Sequence, residues 1–516
     1  MGDLMNAAAK QECCSGILHS AQSICPICHK AVEAFYIEED NKVYFIKECS
    51  DHGTFKTLAA ENADDYKRWV KNPVINIPPK SAQTKGDPDD FSCPLHCGTC
   101  ENHLQTACCV LIDITDICNQ HCPYCFAKSE LDADRSGEPT LEEINDKYDL
   151  LLELGEERPF NIQLSGGEPT VRDDLPQIIK MARDKVFEYV QINTNGRRLA
   201  TEDGYAQTLK DAGASVIFMQ FDGTRDDIYE QLRGEPLFET KVKAIRNCEK
   251  AGLAVTLVPT IVEGVNTDNI GEMMDFLIEN VNVVKGIHFQ PVSFFGRYPE
   301  KMEDDVQSAG DSKAYIGDFP GRITMFGLLR KLEEQSPGFK YEDFLPITTG
   351  HTLCCFYSTY TKEPDGSIKC ALTSAQRSEG VSCCDTTVKN DCCCGTEPAA
   401  EGVSCCDMTS IDSLEVIRKD RDFVLNKWEI TAPQEECYCE ASDEGSCCCE
   451  TSEDHVMDLD EFLRYYRQNT FTVTGMAFQD IMNIDAERVK RCRVQQLSKD
   501  NRLIPFCAYN TIYRED

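Results

Sequence analysis

From about residue 107 to 300 the chain alternates short runs rich in β-branched and aromatic residues with longer stretches of helical apolar spacing. The runs are CCVLIDIT, FNIQLSGG, YVQINTNG, SVIFMQFDG, AVTLVPTIV and GIHFQPVSF, which makes six candidate strands. Between them, Thr140 to Leu154 opens on a capping box of Thr140 and Glu143, and Phe238 to Ala251 repeats apolar residues at helical intervals. Strand and helix in regular alternation predict parallel strands joined by right-handed crossovers. The expected fold class is therefore α/β, a partial (β/α)6 TIM-like barrel.

The flanking segments read differently. Residues 1–80 hold the knuckle CPICHK, a hairpin AFYIEEDNKVYFIKEC turning at Asp40-Asn41, and SDHG. Residues 81–109 form a compact cysteine loop, SCPLHCGTCENHLQTACC. The core is assigned to 107–340 and a C-terminal α+β domain to 341–516. Within that domain lies a cysteine-rich insertion at 375–455 that lacks apolar periodicity. It carries the near-repeats SEGVSCCDTT at 378–387 and AEGVSCCDMT at 400–409, with a weaker echo in DEGSCCCE at 443–450.

Composition narrows the function. At 516 residues the chain is too long for one ordinary domain. A net charge of −36 argues against binding nucleic acid phosphates or an anionic membrane surface, although a local pocket can still take a small molecule or a lipid tail. No apolar run reaches the roughly 18 residues that a membrane span needs. The first residues carry acids and no apolar stretch, so they do not read as a secretory signal, and a cytoplasmic location is expected. Thirty-one cysteines in that compartment point to metal rather than disulfides.

The spacing of one group carries the chemistry. Cys118, Cys122 and Cys125 form CxxxCxxC directly after the first candidate strand. Three thiolates on one loop can hold three irons of a [4Fe–4S] cube and leave the fourth without a protein ligand. That open iron can chelate S-adenosylmethionine (SAM), and one electron then cleaves the sulfonium to a 5′-deoxyadenosyl radical. A three-cysteine zinc loop is the bland alternative, and its place at a barrel mouth disfavours it. Gly166, Gly167 and Glu168 follow the second strand, Asn193 and Asn195 the third and Asp222 the fourth, while Gln290 lies in the sixth. Asn193, Asn195 and Asp222 are candidates for ribose or carboxylate contacts, or for loop hydrogen bonds.

Three further sets have ligand spacing. Cys25, Cys28, Cys49 and His52 have the two-knuckle form of a zinc ribbon or a rubredoxin-like iron site. Cys93, Cys97 and Cys100, with Cys108 or Cys109, offer four thiolates for a fully ligated auxiliary cluster, with zinc as the alternative. Cys492 and Cys507, with Cys354 or Cys355 and possible help from Cys370, form a second auxiliary set or are buried unligated thiols.

By Cys118, Cys122, Cys125, Tyr124 and the Gly166-Gly167-Glu168-Pro169 turn, the chain resembles the radical SAM superfamily. The resemblance implies that the GGE turn binds the methionyl ammonium and that Tyr124 lies near the adenine. The order CPxC, CxxHG, CPxxCGxC, CNxxCPxCFA, LSGGEPTxRDDLP, NTNG, RVKRC and PFCAYN resembles one subgroup, the archaeal tetraether lipid synthases and related proteins labelled pterin dimethyltransferases. It implies one or two auxiliary [4Fe–4S] clusters on Cys93, Cys97, Cys100 and Cys108 and on Cys354, Cys492 and Cys507, a mononuclear zinc or iron site, and a low-potential electron donor of the ferredoxin or flavodoxin kind.

The leading functional expectation is carbon–carbon bond formation at unactivated carbon, as in lipid-chain coupling. The alternatives are methylation of a pterin-like heterocycle and modification of a peptide. A thiophilic-metal-handling or redox-sensing protein on an inactive barrel is the reading from another class. A long apolar tunnel would suit coupling, and a polar, ring-sized pocket would suit methylation. The CC and CCC repeats read as soft metal ligands, redox-active thiols or a disordered insertion. Deletion of residues 378–450 is expected to leave SAM cleavage largely intact, measured as 5′-deoxyadenosine released; a loss as deep as that of a loop-cysteine variant would place the insertion in the active site.

Overall fold

The computed structural model describes residues 16–79, 82–84, 93–131, 134–155, 160–299, 319–347, 349–371 and 459–514. The 375–455 insertion and its cysteine repeats lie outside the described residues. The N-terminal unit is an antiparallel sheet of β1 (Ile17–Ile24), β2 (Ala31–Glu39), β3 (Lys42–Cys49) and β4 (Gly53–Ala60), paired in chain order. Asp40 and Asn41 turn β2 into β3 with φ of 49° and 61°, the left-handed pair that a two-residue hairpin needs to match strand twist. Helix α1 (Ala63–Val70) follows, capped by the Asn62 side chain, which accepts from the N–H groups of Asp64 and Asp65. It drives Tyr66 and Trp69 into the main core.

The barrel strands are β5 (Cys109–Thr115), β6 (Asn161–Gly166), β7 (Val190–Thr194), β8 (Val216–Gln220), β9 (Val255–Val258) and β11 (Val284–Pro291), with the short β10 (Thr260–Ile261) paired to β11. The six expected strands are all present and parallel in the expected order. Helix α2 (Leu141–Leu154) crosses from β5 to β6 and keeps the capping box of Thr140 and Glu143. Helices α3 (Leu175–Asp184), α4 (Arg197–Thr201), α5 (Tyr205–Ala212), α6 (Asp226–Arg233), α7 (Phe238–Lys250) and α8 (Ile270–Glu279) fill the later crossovers. Val110, Ile112, Ile162, Leu164, Val190 and Ile192 join Ile144, Leu151, Ile178 and Leu277 of these helices in one core. A sheet whose outer face is sealed by helices stabilises such apolar runs.

The C-terminal region is continuous with this sheet. Its strands are β12 (Cys355–Lys362), β13 (Ile368–Cys370), β14 (Thr470–Met476), β15 (Val494–Leu497) and β16 (Leu503–Pro505). β14 lies parallel beside β11, and β15 lies parallel beside β5. Among the described residues eight neighbouring strands therefore run parallel, β14-β11-β9-β8-β7-β6-β5-β15, flanked by antiparallel β12 and β16. The segment 477–493 links one edge of this array to the other. It carries Phe294 at the barrel rim through a 2.8 Å bond from the Phe294 N–H to Asp480, whose carboxylate is paired with Arg322 at 2.8 Å.

Phe471 of β14 is fully buried and stacks on Tyr360, ring centroids 6.0 Å apart. Phe471→Ala is expected to cost about 3–5 kcal/mol by removing an aromatic ring and leaving a cavity, read as the shift in a denaturant unfolding curve.

Candidate radical SAM site and metal centres

The chain after β5 is pinned before it reaches its first thiol. Gly167 and Glu168 donate their backbone N–H groups to the carbonyls of Thr115 and Ile117, each at 2.8 Å. Such an approach requires a turn without Cβ atoms, because one on Gly166 would collide with the Thr115 carbonyl and one on Gly167 with that of Ile117. Gly166 also holds a φ of 117°, open to glycine alone at little cost. The buried Glu168 carboxylate accepts from the Thr170 N–H at 3.0 Å, the Thr170 and Thr194 hydroxyls at 2.6 Å and the Asn195 N–H at 2.6 Å. It thereby joins the turn after β6 to the end of β7. Asn195 reaches onward, donating to Asn119 of the cysteine loop at 2.7 Å.

The loop itself is closed at its base and braced from two sides. The Cys118 N–H donates to the Glu130 carbonyl at 3.3 Å, and Cys125 exchanges backbone bonds with Arg297 at 2.9 and 2.8 Å. The Arg297 guanidinium donates to the carbonyls of Cys122 at 3.0 Å and Ser129 at 2.8 Å. On the other side Arg233, the last residue of α6, donates to the Tyr124 carbonyl at 2.8 Å. Its remaining N–H groups grip Asp222 at 2.6 and 2.8 Å. Asp222 also accepts from the Thr260 N–H at 3.1 Å and from the Gln220 amide, so its carboxylate is filled by protein donors.

Cys118, Cys122 and Cys125 lie within one another's electrostatic reach. Burial first, and the nearby Glu168 charge second, push the Cys118 thiol up to about 12. Burial likewise raises Cys122, while Arg233 pulls it back. Three thiols gathered on one braced loop are the donor set that a cluster with one open iron needs, and binding it displaces their protons.

Other expected residues surround this loop. Tyr124 is half-buried against Ile228, Leu232 and Phe294, a cluster that also takes in Cys25, Cys28 and Cys49 of the N-terminal unit. Asn193 accepts from Gln191 at 2.9 Å and donates to Gln163 at 3.4 Å. Gln290 is half-buried near the top of β11. Sequence reading missed Arg233, Arg297 and Lys241. The Lys241 ammonium is fully buried and donates to the Asn195 carbonyl at 2.5 Å and to Gln220 at 2.7 Å; burial lowers it to about 8 against the pull of Asp222. The sole local signal for Arg297 was Gly296, whose positive φ of 72° lets the chain pass under the carbonyls of Cys125 and Phe126.

The four N-terminal ligand atoms come together. Cys25, Cys28, Cys49 and His52 all lie within 4.8 Å of one another, with Cys28 and Cys49 sulfurs 3.9 Å apart and His52 Nδ1 3.5 Å from Cys49. Tetrahedral metal–sulfur bonds of ~2.3 Å place neighbouring sulfurs ~3.8 Å apart, so a single zinc or iron fits. In the second set Cys97 is buried beside Cys93, Cys100 and Cys492. In the third, Cys492 lies beside Cys507 and Cys354, and Arg488 contacts the Cys354 sulfur at 3.5 Å. Cys492 thus stands between the two auxiliary sets. Cys108 and Cys354 both neighbour Cys355, the first residue of β12, whereas Cys109 is buried in β5 against Gln163. Cys370 bonds Ser358 on β12 at 3.7 Å and packs against the main core. A cavity between the N-terminal sheet and the barrel rim is lined by Tyr36, Phe45, Pro291, Val292, Phe478 and Arg488, and by no residue of the cysteine loop.

A three-thiol loop at the mouth of a parallel partial barrel is the arrangement of a radical SAM protein, and residues 112–277 match the Radical SAM superfamily. Residues 17–61 match the HMPTM N-terminal zinc ribbon domain. Along its length the chain is 34% identical, over 96% of itself and 94% of the relative, to a 7,8-dihydro-6-hydroxymethylpterin dimethyltransferase of Methanocaldococcus jannaschii. A probable GTP 3′,8-cyclase of Pyrococcus abyssi is 31% identical over 32% of this chain and 51% of its own. A crystal structure of Streptococcus suis SuiB bound to the precursor peptide SuiA is 14% identical, with a TM-score of 0.33 over 48% of this chain and 59% of that one. The chain belongs to the radical SAM superfamily, in the subgroup of the 7,8-dihydro-6-hydroxymethylpterin dimethyltransferase. It is a radical SAM enzyme, and membership implies a [4Fe–4S] cluster and SAM. No helix among the described residues is long and apolar enough to cross a membrane.

Gly167→Ala forces the turn after β6 away from Ile117 and should loosen the loop. It is expected to lower iron and sulfide content by about four per chain, the contents of one cluster, while the metal at Cys25 and Cys28 stays; unchanged iron would show that the close approach is dispensable.

Proposed function

We propose that this chain is a radical SAM methyltransferase acting on a reduced pterin. The observation that carries the reading is the similarity to an enzyme named for that reaction over nearly the full length of both chains. Lipid-chain coupling, the leading expectation from sequence, gives way to its alternative on this ground.

In this reading Cys118, Cys122 and Cys125 hold the catalytic [4Fe–4S] cluster. When bound, that cluster supplies the electron that splits the SAM sulfonium into methionine and a 5′-deoxyadenosyl radical. The protein's part is to hold, orient and keep dry. Arg233 and Arg297 fix the loop through its carbonyl oxygens, and the backbone of Gly166, Gly167 and Glu168 receives the methionyl group. Tyr124 walls the adenine side, and Asn193, Asn195 and Gln290 offer polar atoms at the mouth, with Asp222 acting through Arg233. Cys93, Cys97, Cys100 and Cys108 are proposed for one auxiliary cluster and Cys354, Cys492 and Cys507 for another. Cys25, Cys28, Cys49 and His52 hold a zinc or iron, and a ferredoxin- or flavodoxin-like protein delivers the electron.

Cys122→Ala is expected to abolish 5′-deoxyadenosine formation with the circular dichroism of the fold unchanged, and with it the conversion of 7,8-dihydro-6-hydroxymethylpterin to methylated products seen by mass spectrometry in the wild type. Retained SAM cleavage would overturn the cluster assignment; cleavage by the wild type without methylated pterin would overturn the substrate.

A further inference from the structure

Barrels of parallel strands are filled inside with branched apolar side chains, and this one is not. Register fixes which side chains point inward. Val110 and Ile112 of β5 join the outer core, so Leu111 between them faces the interior, where it clusters with Phe295 and Phe506. Leu111 pairs with Gln163 on β6 and with Gln496 on β15, and Gln163 pairs with Gln191 on β7. Asn193 pairs with Phe218, Phe218 with Thr256, and His288 with Thr474. Side-chain contacts bear out this shared face: Gln191 donates to Asn193 at 2.9 Å, His288 lies 2.9 Å from the Thr474 hydroxyl, and the Phe218 ring packs on His288 with centroids 5.3 Å apart. None of these inward positions carries lysine or arginine.

Two members of this face are incomplete. The Thr256 hydroxyl and both polar atoms of the Gln496 amide have no hydrogen-bond partner, although the residues are 3% and 0% exposed. Buried polar groups left unpaired destabilise a fold and are retained where something else completes them. An apolar chain would leave them unpaired, and the cations that reach this face, Lys241 at Gln220 and Arg514 at Asp113, already have partners. Amides and hydroxyls that both donate and accept match the edge of a flat, neutral ring that alternates N–H and N or C=O groups. The column starts under the cysteine loop, since Asn193 is two residues from Asn195, which bonds Asn119.

We propose that Gln191, Asn193, Thr256 and Gln496 form the recognition surface for the substrate's heterocycle, taking the aminopyrimidinone edge of a reduced pterin inside the barrel. This deepens the reading above and rests on it.

The test is anaerobic equilibrium binding of 7,8-dihydro-6-hydroxymethylpterin to the reconstituted full-length protein, with iron content and circular dichroism as controls of loading and fold. Gln496→Leu and Thr256→Val are each expected to weaken binding about tenfold, the loss of one good hydrogen bond. Thr256→Val should also raise the melting temperature of the pterin-free protein, because it removes an unpaired buried hydroxyl; a residue kept for structure would move it the other way. Should Gln496→Leu misfold, Thr256→Val carries both expectations alone. Unchanged pterin affinity in the folded variants overturns the recognition surface and leaves ordered water as its filling, with the pterin reading intact. A wild type that cleaves SAM yet does not bind the pterin overturns both.

Discussion

The site rests on one close approach of backbone to backbone. The turn after β6 lies against the segment after β5 so tightly that only two successive glycines, Gly166 and Gly167, fit between them. From this contact follow the exit direction of the cysteine loop, the burial of Glu168 beneath it and the tie from Glu168 through Asn195 to Asn119. The glycine pair therefore aims the thiols as well as lining the turn.

Rigidity in the loop comes from charge-assisted bonds placed on the backbone. Arg297 and Arg233 bond the loop from opposite sides through carbonyl oxygens. A planar guanidinium fork offers five donors at fixed angles, enough for Arg233 to hold both the loop and the carboxylate that neutralises it. A buried arginine and aspartate pair contributes little net stability against an apolar replacement; its value here is geometric. The same buried surroundings favour the neutral thiols of Cys118 and Cys122.

Much of this was legible in the chain, for reasons of scale. Six strands sealed under helices leave long apolar runs, Thr140 and Glu143 cap α2 through neighbours three residues apart, and Asp40-Asn41 turns a hairpin locally. Ligand sets built from knuckles a few residues long were equally visible. What stayed hidden depends on residues distant in sequence. Nothing near the loop announces Arg233 or Arg297, and Cys492 meets Cys97 only because segment 477–493 crosses between the sheet edges. Gln163 of β6 and Gln191 of β7 lie in runs that read only as strands, and the side they face comes from the register.

The two C-terminal strands that complete the parallel array, β14 and β15, set a kinetic condition on the molecule. Val494 pairs with Cys109, so the barrel edge beside the cysteine loop stays open until all the intervening chain has been synthesised. Contacts of such sequence separation are slow to form, and an unfinished parallel sheet with bare edges is prone to aggregate. Loading of the cluster proposed for that loop and closure of that edge are therefore coupled in time.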